Sequence, residues 1–353
     1  LINMKKIVLV LFLFLNFELV YAQIDSDESY EVNTIAFYNV ENLFDTINDP
    51  LTRDDDRTPM GKDKWTVDIY RKKLLNLSKV INEIGADLTG ESPTIIGLCE
   101  VENKKVLVDL INTKLLKISK YEIIHYDSPD ERGVDVALIY KKGKFKPTSS
   151  KIYPLHLKTS TGEIDFTRDH LLVSGYLNNE MIHFIVNHWP SRAGGQMKSE
   201  KKRISAGLLN RKIIDSILRI NPVAKIINMG DFNDNPNDKS IKPILKTSSL
   251  KENLSEGELF NPMDILFKKG YGTYKFRGRW DMLDQFMLTQ SLILENEGHF
   301  FLKASVYSKK YMVNPKGKYQ GYPYKSFVGG RFLDGFSDHF PIYLYLAKKT
   351  NNN

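Results

Sequence analysis

The sequence predicts a single layered α/β domain, and three observations carry that expectation. Apolar runs of strand length recur along the chain, helical spacing replaces them at a few places, and no repeat, low-complexity tract or Pro/Ser-rich linker divides the 353 residues. With 42% apolar and 26% charged residues the composition is globular, not disordered. The second half separates its strands by hairpin-length gaps. This favours a mixed layered sheet over a strictly alternating parallel one.

Taken in order, Asn33 to Val40 reads as a first strand that runs into Asn39-Val-Glu41-Asn-Leu-Phe-Asp45. Asn39 and Glu41 share a face of it. Residues 48 to 64, rich in Asp, Pro, Thr and Gly, read as a loop, and Asp54 to Asp56 lack the twelve-residue spacing of a calcium loop. Trp65 to Ile84 places Ile69, Leu74, Leu77, Val80, Ile81 and Ile84 near helical spacing with Lys and Arg between them, so it is an amphipathic helix stopped by Gly85. Thr94 to Cys99 is an apolar strand ending in Glu100-Val-Glu102-Asn103; Cys99, the only cysteine, reads as a buried small hydrophobe. A helix follows over Lys104 to Leu116.

Strands are then expected at Tyr121 to Tyr126, Gly133 to Tyr140, Lys144 to Tyr153, His170 to Leu177 and Met181 to Asn187. The last meets His188-Trp-Pro-Ser-Arg192. A long helix, Met197 to Arg219, shows Ile204, Leu208, Leu209, Ile213, Ile214, Ile217 and Leu218 as its apolar face. Val223 to Met229 is a short buried strand, which Gly230 is expected to break so that Asp231 and Asn233 project. A short helix near Ser240 to Lys246 and strands at Tyr274, Trp280 to Leu288 and His339 to Leu346 complete the domain.

The N-terminus has a separate logic. Lys5-Lys6, the apolar run Ile7 to Phe17 and Val20-Tyr-Ala22 form the charged, apolar and small-residue regions of a secretory leader, residues 1 to 22, with Leu1 to Asn3 ahead of the natural start. The apolar run is short for a membrane span. Secretion or a periplasmic location follows, with stability supplied by the core because one cysteine permits no internal disulfide.

Polar residues recur where apolar strands end: Asn39 and Glu41, Glu100, His188, Asp231 and Asn233, Asp284, and Asp338-His339. Each alone has an ordinary structural explanation, since Asp and Asn cap turns and isolated carboxylates solvate strand ends. Together they converge, because strands of layered sheets end along common rims. Carboxylates and amides without paired cysteines or a His-x-x-x-His suit a hard cation, and two histidines with Arg192 beside it suit an anionic phosphate ester.

The order Asn39-x-Glu41, Leu98-Cys-Glu100, Asn187-His-Trp-Pro-Ser-Arg192, Gly230-Asp-Phe-Asn233, Leu283-Asp284 and Ser337-Asp-His339 resembles the endonuclease/exonuclease/phosphatase superfamily, the deoxyribonuclease I-like group, across residues 33 to 347. The surroundings of Asn39 and His188 are similar to its secreted bacterial branch. The resemblance implies a four-layer sandwich, two packed mixed and mostly antiparallel sheets flanked by helices. It implies Mg2+, with Mn2+ or Ca2+ as alternatives, on Glu100 and Glu41 supported by Asp338. Asn39 would order the ligand shell and phosphate side, Asp231 would handle the attacking water, and Asn233 would hold a phosphate oxygen. His339, oriented by Asp284, would bind phosphate or act as base, a division of labour with Asp231 that stays open. His188 would face the phosphate and Arg192 would clamp the anion.

For the substrate, nucleic acid comes first. Between Glu297 and Asp334 there is no acid, while Lys and Arg alternate with Tyr307, Tyr311, Tyr319, Tyr322 and Tyr324, a pattern able to track a phosphate backbone and stack bases. A phospholipid or sphingomyelin phosphodiesterase is the alternative, an inositol-phosphate phosphatase fits less well, and an inactive binding module is the non-enzyme reading. A monomer without an obligate protein partner is expected. The formal charge of +7 accommodates an anionic substrate without requiring one.

Overall fold

The computed structural model describes residues 29 to 350 apart from 160, 253 and 295 to 297; the leader lies outside them. Two sheets stack face to face. The first runs in the order His299–Val306, Ile342–Thr350, Ser29–Leu43, Ile95–Val101, Asp135–Lys141 and Tyr121–His125. The second runs Thr247–Ser248, Leu259–Phe260, Asp284–Leu288, Lys225–Asp231, Glu180–His188, His170–Leu177 and Phe145–Tyr153. In each, one central pair is parallel (Ser29–Leu43 with Ile95–Val101, Glu180–His188 with Lys225–Asp231) and nearly every other pairing is antiparallel. The central strands are apolar on both faces because both faces are covered.

Three apolar clusters separate four layers. Phe37, Cys99, Leu138, Phe184, Val186, Ile227, Met229, Phe286 and Leu344 fill the space between the sheets. The helices Val67–Glu83 and Lys104–Ile111 pack on the outer face of the first sheet through Leu74, Leu77, Val80, Val106 and Leu110. Gln196–Ile220 covers the second through Ala206, Ile213 and Ile214. Burial raises the Cys99 thiol far above its usual range, so it stays a protonated small hydrophobe.

Several boundaries shift for identifiable reasons. The first long helix starts after Thr66, whose hydroxyl accepts from the Ile69 amide, so Trp65 lies outside it and donates its indole N–H to the Phe44 carbonyl at 3.0 Å. The next helix stops at Ile111, not Leu116, because the Asn112 and Thr113 side chains take the Val108 and Leu110 carbonyls. The expected helix at Ser240 to Lys246 is a series of turns, with Pro243 unable to donate a backbone bond there. Trp280 to Leu288 divides in two: Tyr274–Phe276 and Arg279–Asp281 form a separate hairpin before Asp284–Leu288.

The helices also bury polar groups that periodicity assigns to solvent. Lys73 is fully buried among the apolar positions of its helix. In the long helix the inward residues include Arg203, Gly207, Asn210 and Arg211, while Leu208, expected inside, is 55% exposed. The Arg203 guanidinium pairs with Asp234 at 2.7 Å, and Asn210 donates to the Asn187 carboxamide at 2.5 Å. Asn187 in turn donates to Asn228 at 2.7 Å and to the Met229 carbonyl at 3.0 Å. These bonds tie the helix to the two strands that end at His188 and Asp231. Gly207 permits the approach, since a Cβ there would sit 2.8 Å from the Ser240 carbonyl oxygen.

Candidate active site

Topology gathers the polar strand ends on one rim. The strands of each parallel pair finish side by side, and Asp284–Leu288 runs opposite to Lys225–Asp231, so the start of the former meets the end of the latter. Asp231 lies between two register partners, His188 on one side and Asp284 on the other. Gly230 does not break the strand, despite its conformational freedom. It continues the ladder beside Asn187, where a Cβ would lie 2.5 Å from the Asn187 carbonyl oxygen.

Backbone conformation then aims the ligands. Glu41, Asn42, Glu100 and Asn233 all have positive φ, and the first two strands carry a bulge where they stop pairing regularly. Non-glycine residues in this region cost energy, and they persist where their surroundings hold them. Here the holders are visible. The Asn42 amide donates to the Glu100 carboxylate at 3.0 Å, the Glu41 amide to the Asn39 side-chain oxygen at 3.0 Å, and the Asn233 amide to Asp231 at 2.9 Å.

A cavity of about 860 Å³ opens over this rim, with Glu100, His188, Asp231, Asn233, Asp338 and His339 on its floor. His339 Nδ1 lies 2.6 Å from Asp284 Oδ2, leaving Nε2 to face Asp231 Oδ2 at 3.9 Å. Burial works against a charged imidazole, but the Asp284 and Asp231 carboxylates outweigh it and hold His339 well above the usual histidine range. His188 takes the opposite state. Its Nε2 stands 3.7 Å from Glu100 and 3.8 Å from Asp231, and burial, reinforced by nearby Arg168 and Arg132, keeps it neutral. The floor therefore offers a cationic donor and a neutral imidazole side by side.

The carboxylates are strained electrostatically. Burial and the charge of Asp338 raise Glu100, and burial raises Asp231. Clustered buried oxygens of one sign fit a hard divalent cation, which would relieve that repulsion. Asp231, Asp284 and His339 also bring ligand atoms within 4.8 Å of one another, but in this structure His339 Nδ1 is committed to Asp284 by a 2.6 Å hydrogen bond.

Three expected roles shift with the geometry. Asn39 lies behind the floor, buried, and donates to Asp231 Oδ2 at 3.1 Å, so it orients that acid and does not face phosphate. Arg192 lines the cavity, but its guanidinium is engaged: Nε donates to the Asn233 carbonyl at 2.8 Å, and the terminal nitrogens bond Asp281 and Asp238, each at 3.2 Å. It is a strut that holds the Asn233 turn. Glu41, buried behind the floor, accepts from the Ser326 amide at 2.6 Å and stands 3.9 Å from the Lys73 ammonium.

Other cations stand on the walls. Arg132, Arg277 and Arg279 face the cavity together with Tyr274 and the exposed Phe276. Arg277 and Arg279 have no carboxylate partner among the described residues, and Arg277 lies over the Phe276 ring at 5.2 Å. No sequence pattern marks these two, because an Arg-Gly-Arg turn has no period and no fixed spacing to the floor. Arg132 reads from sequence only as a charge at a strand start. Its Nε lies 3.3 Å from Asp130, and its loop is fastened by Asp135, which accepts from the Ser128 amide at 2.8 Å and pairs with His125 at 3.0 Å.

The basic and aromatic segment after residue 298 is only partly surface. His299–Val306 is an edge strand, and Tyr307 and Tyr311 donate to Glu83 at 2.8 and 2.7 Å. Tyr324 is tied to the Leu333 carbonyl at 2.5 Å. Lys316, Lys318 and Tyr319 remain exposed. Tyr322, half-buried, accepts from the Gly278 amide at 2.6 Å, joining that loop to the hairpin tip.

A two-sheet sandwich with this rim defines a metal-dependent phosphoester hydrolase. The family model described as Endonuclease/Exonuclease/phosphatase family matches residues 34–348, and the chain belongs to that family. No curated protein matches by sequence. Among solved structures, a humanised TDP2 of D. rerio aligns at TM-score 0.53 and 14% identity, covering 89% of this chain and 98% of its own. An endonuclease/exonuclease/phosphatase family protein of Bacteroides thetaiotaomicron aligns at 0.53 and 16%, covering 92% and 100%. A mannosyl-6-phosphatase from the same organism aligns at 0.52 and 17%, covering 89% and 99%. These likenesses carry the fold.

Proposed function

We propose that the protein is an exported phosphodiesterase that cleaves nucleic acid, with water as nucleophile and a divalent metal as cofactor. The observation that carries the substrate class is the pairing of a phosphate-handling floor with walls bearing Arg132, Arg277, Arg279 and Phe276. One phosphate would sit on the floor. Further cations and an aromatic ring beside it suit flanking phosphates and a base.

Glu100 and Asp338 would hold the ion, which when bound supplies positive charge to the phosphoryl oxygens. The chain's own residues do the rest. The His339 imidazolium donates to a phosphoryl oxygen and gains strength as charge accumulates there, with Asp284 fixing its tautomer. Asp231, oriented by Asn39, takes the proton of the attacking water. Asn233 Nδ2 is anchored on the Trp189 carbonyl at 3.0 Å, which sets the carboxamide at the cavity wall as a further donor. Export is supported by the leader pattern of residues 4 to 22.

A phosphorylated sugar is the second reading, favoured by a cavity whose volume of about 860 Å³ admits a small phosphorylated molecule and by the activity for which the Bacteroides mannosyl-6-phosphatase of the same fold is named. The test offers plasmid DNA, RNA, sphingomyelin and a sugar phosphomonoester in parallel, with Mg2+, Mn2+, Ca2+ or chelator. Metal-dependent nicking of plasmid is the expected result. Turnover of the lipid or the monoester alone contradicts the nuclease reading.

A further inference from the structure

Lys73 is fully buried at the foot of the site. It projects from the inner face of Val67–Glu83, donates to the Ser326 hydroxyl and to the Phe336 carbonyl at 2.7 Å, and stands 3.9 Å from Glu41 Oε2. The same Glu41 oxygen accepts the Ser326 amide. Two observations converge here: an ammonium already inside the fold stands beside the Glu41 carboxylate, and the same carboxylate oxygen is satisfied by a backbone donor.

We propose that the Lys73 ammonium is a built-in cation on the Glu41 side of the site, so that the chain takes a single divalent ion on the Glu100 and Asp338 side. The inference rests on the reading of the cavity as a metal site. Glu41 is then a positioning residue, not a ligand. A second divalent ion on Glu41 would have to lie against the Lys73 ammonium, whose head donates to Ser326 and Phe336 and stands beside Glu41. The contact also places the loop that carries the phosphate donor. Phe336 directly precedes Ser337, whose hydroxyl donates to the Asn39 carbonyl at 2.7 Å and accepts from the His339 amide at 3.1 Å. Asn76, one turn along the helix, holds the same segment through the Gly335 carbonyl at 2.9 Å.

The test counts Mn2+ bound to the purified protein, by electron paramagnetic resonance of the free ion. Wild type should bind one Mn2+ per chain. Glu41→Gln, which keeps an acceptor for the Ser326 amide, should weaken it about tenfold, the low end of the cost of changing a supporting residue, whereas Glu100→Gln should weaken it by more than about a hundredfold. Lys73→Met should admit a second Mn2+, and Lys73→Met combined with Glu41→Gln should return the count to one. If the lysine variants do not fold, the Glu41→Gln and Glu100→Gln comparison still decides. Two ions on the wild-type chain, none, or equal losses for the two glutamate variants would overturn the proposal. The count is independent of substrate: two ions on a chain that nicks plasmid overturns this inference alone, and one ion on a chain that cleaves only lipid overturns only the nuclease reading.

Discussion

The floor and the rim of the cavity are built on different principles. Floor residues cluster at the ends of hydrogen-bonded strands, with His188, Asp231 and Asp284 buried in one row of the ladder and Asp231, Asp284 and His339 held by hydrogen bonds. The rim is made of a three-residue-per-strand hairpin and two loops, with Phe276, Arg277 and Arg279 exposed. A rigid floor suits positioning, where small displacements of a reacting group cost much of the rate. An exposed rim suits the selection of long or short substrates without disturbing the chemistry.

The largest effect that sharpens this contrast is at the floor. His339→Asn removes the cationic donor and should lower kcat by roughly a thousandfold, within the span of general acid–base and oxyanion donors, with the circular dichroism spectrum unchanged. Retention of most of the rate would break the assignment. At the rim, Arg277→Ser with Arg279→Ser should weaken binding of a single-stranded oligonucleotide about tenfold and flatten its salt dependence, by roughly 0.7 in the log–log slope for each phosphate no longer neutralised. Fluorescence anisotropy at several salt concentrations reads both quantities.

Behind the floor, Asn210→Ala leaves the Asn187 carboxamide without its buried donor. Urea denaturation should show a loss of about 1–3 kcal/mol, with activity per folded molecule reduced less than by any floor variant. The smallest effect lies at the far end of the sandwich. Burial alone would raise Glu180, but hydrogen bonds from His299 and Lys225 hold it down at about 2, against 4.5 for a free glutamate. Because the folded value is depressed, the stabilisation is fully present above pH 4.5 and disappears as pH falls towards 2. The melting-temperature gap between wild type and Glu180→Gln should therefore be constant near neutrality and shrink only in that acid window.

The same contrast governs what the sequence revealed. Floor residues follow apolar runs, so each strand end announces its polar residue, and the family resemblance supplied their order from Asn39 to His339. The sandwich was legible for the same reason: strands buried on both faces read as continuous apolar runs. Lys73, Arg203 and Asn210 were not legible, since periodicity assigns charged and amide residues to the outer face of a helix and nothing local marks the Glu41, Asp234 or Asn187 that each one meets inside. The rim was misplaced in part. Counting tyrosines after residue 298 could not separate Tyr307, Tyr311 and Tyr324, consumed by internal hydrogen bonds, from Tyr319 at the surface and Tyr322 at the hairpin tip. Arg192 stands beside the right residues in sequence, yet three acids and a carbonyl claim it.

The most direct measurement compares kcat/KM with Mg2+ for a twelve-nucleotide strand and for a dinucleotide monophosphate, in wild type, His339→Asn and the Arg277→Ser/Arg279→Ser pair. A floor that performs the chemistry and a rim that holds the strand predict that the histidine variant loses both substrates alike, while the arginine variant loses the long one and keeps the short one. Equal losses on both substrates in the arginine variant, or turnover surviving in the histidine variant, would refute that separation of floor and rim.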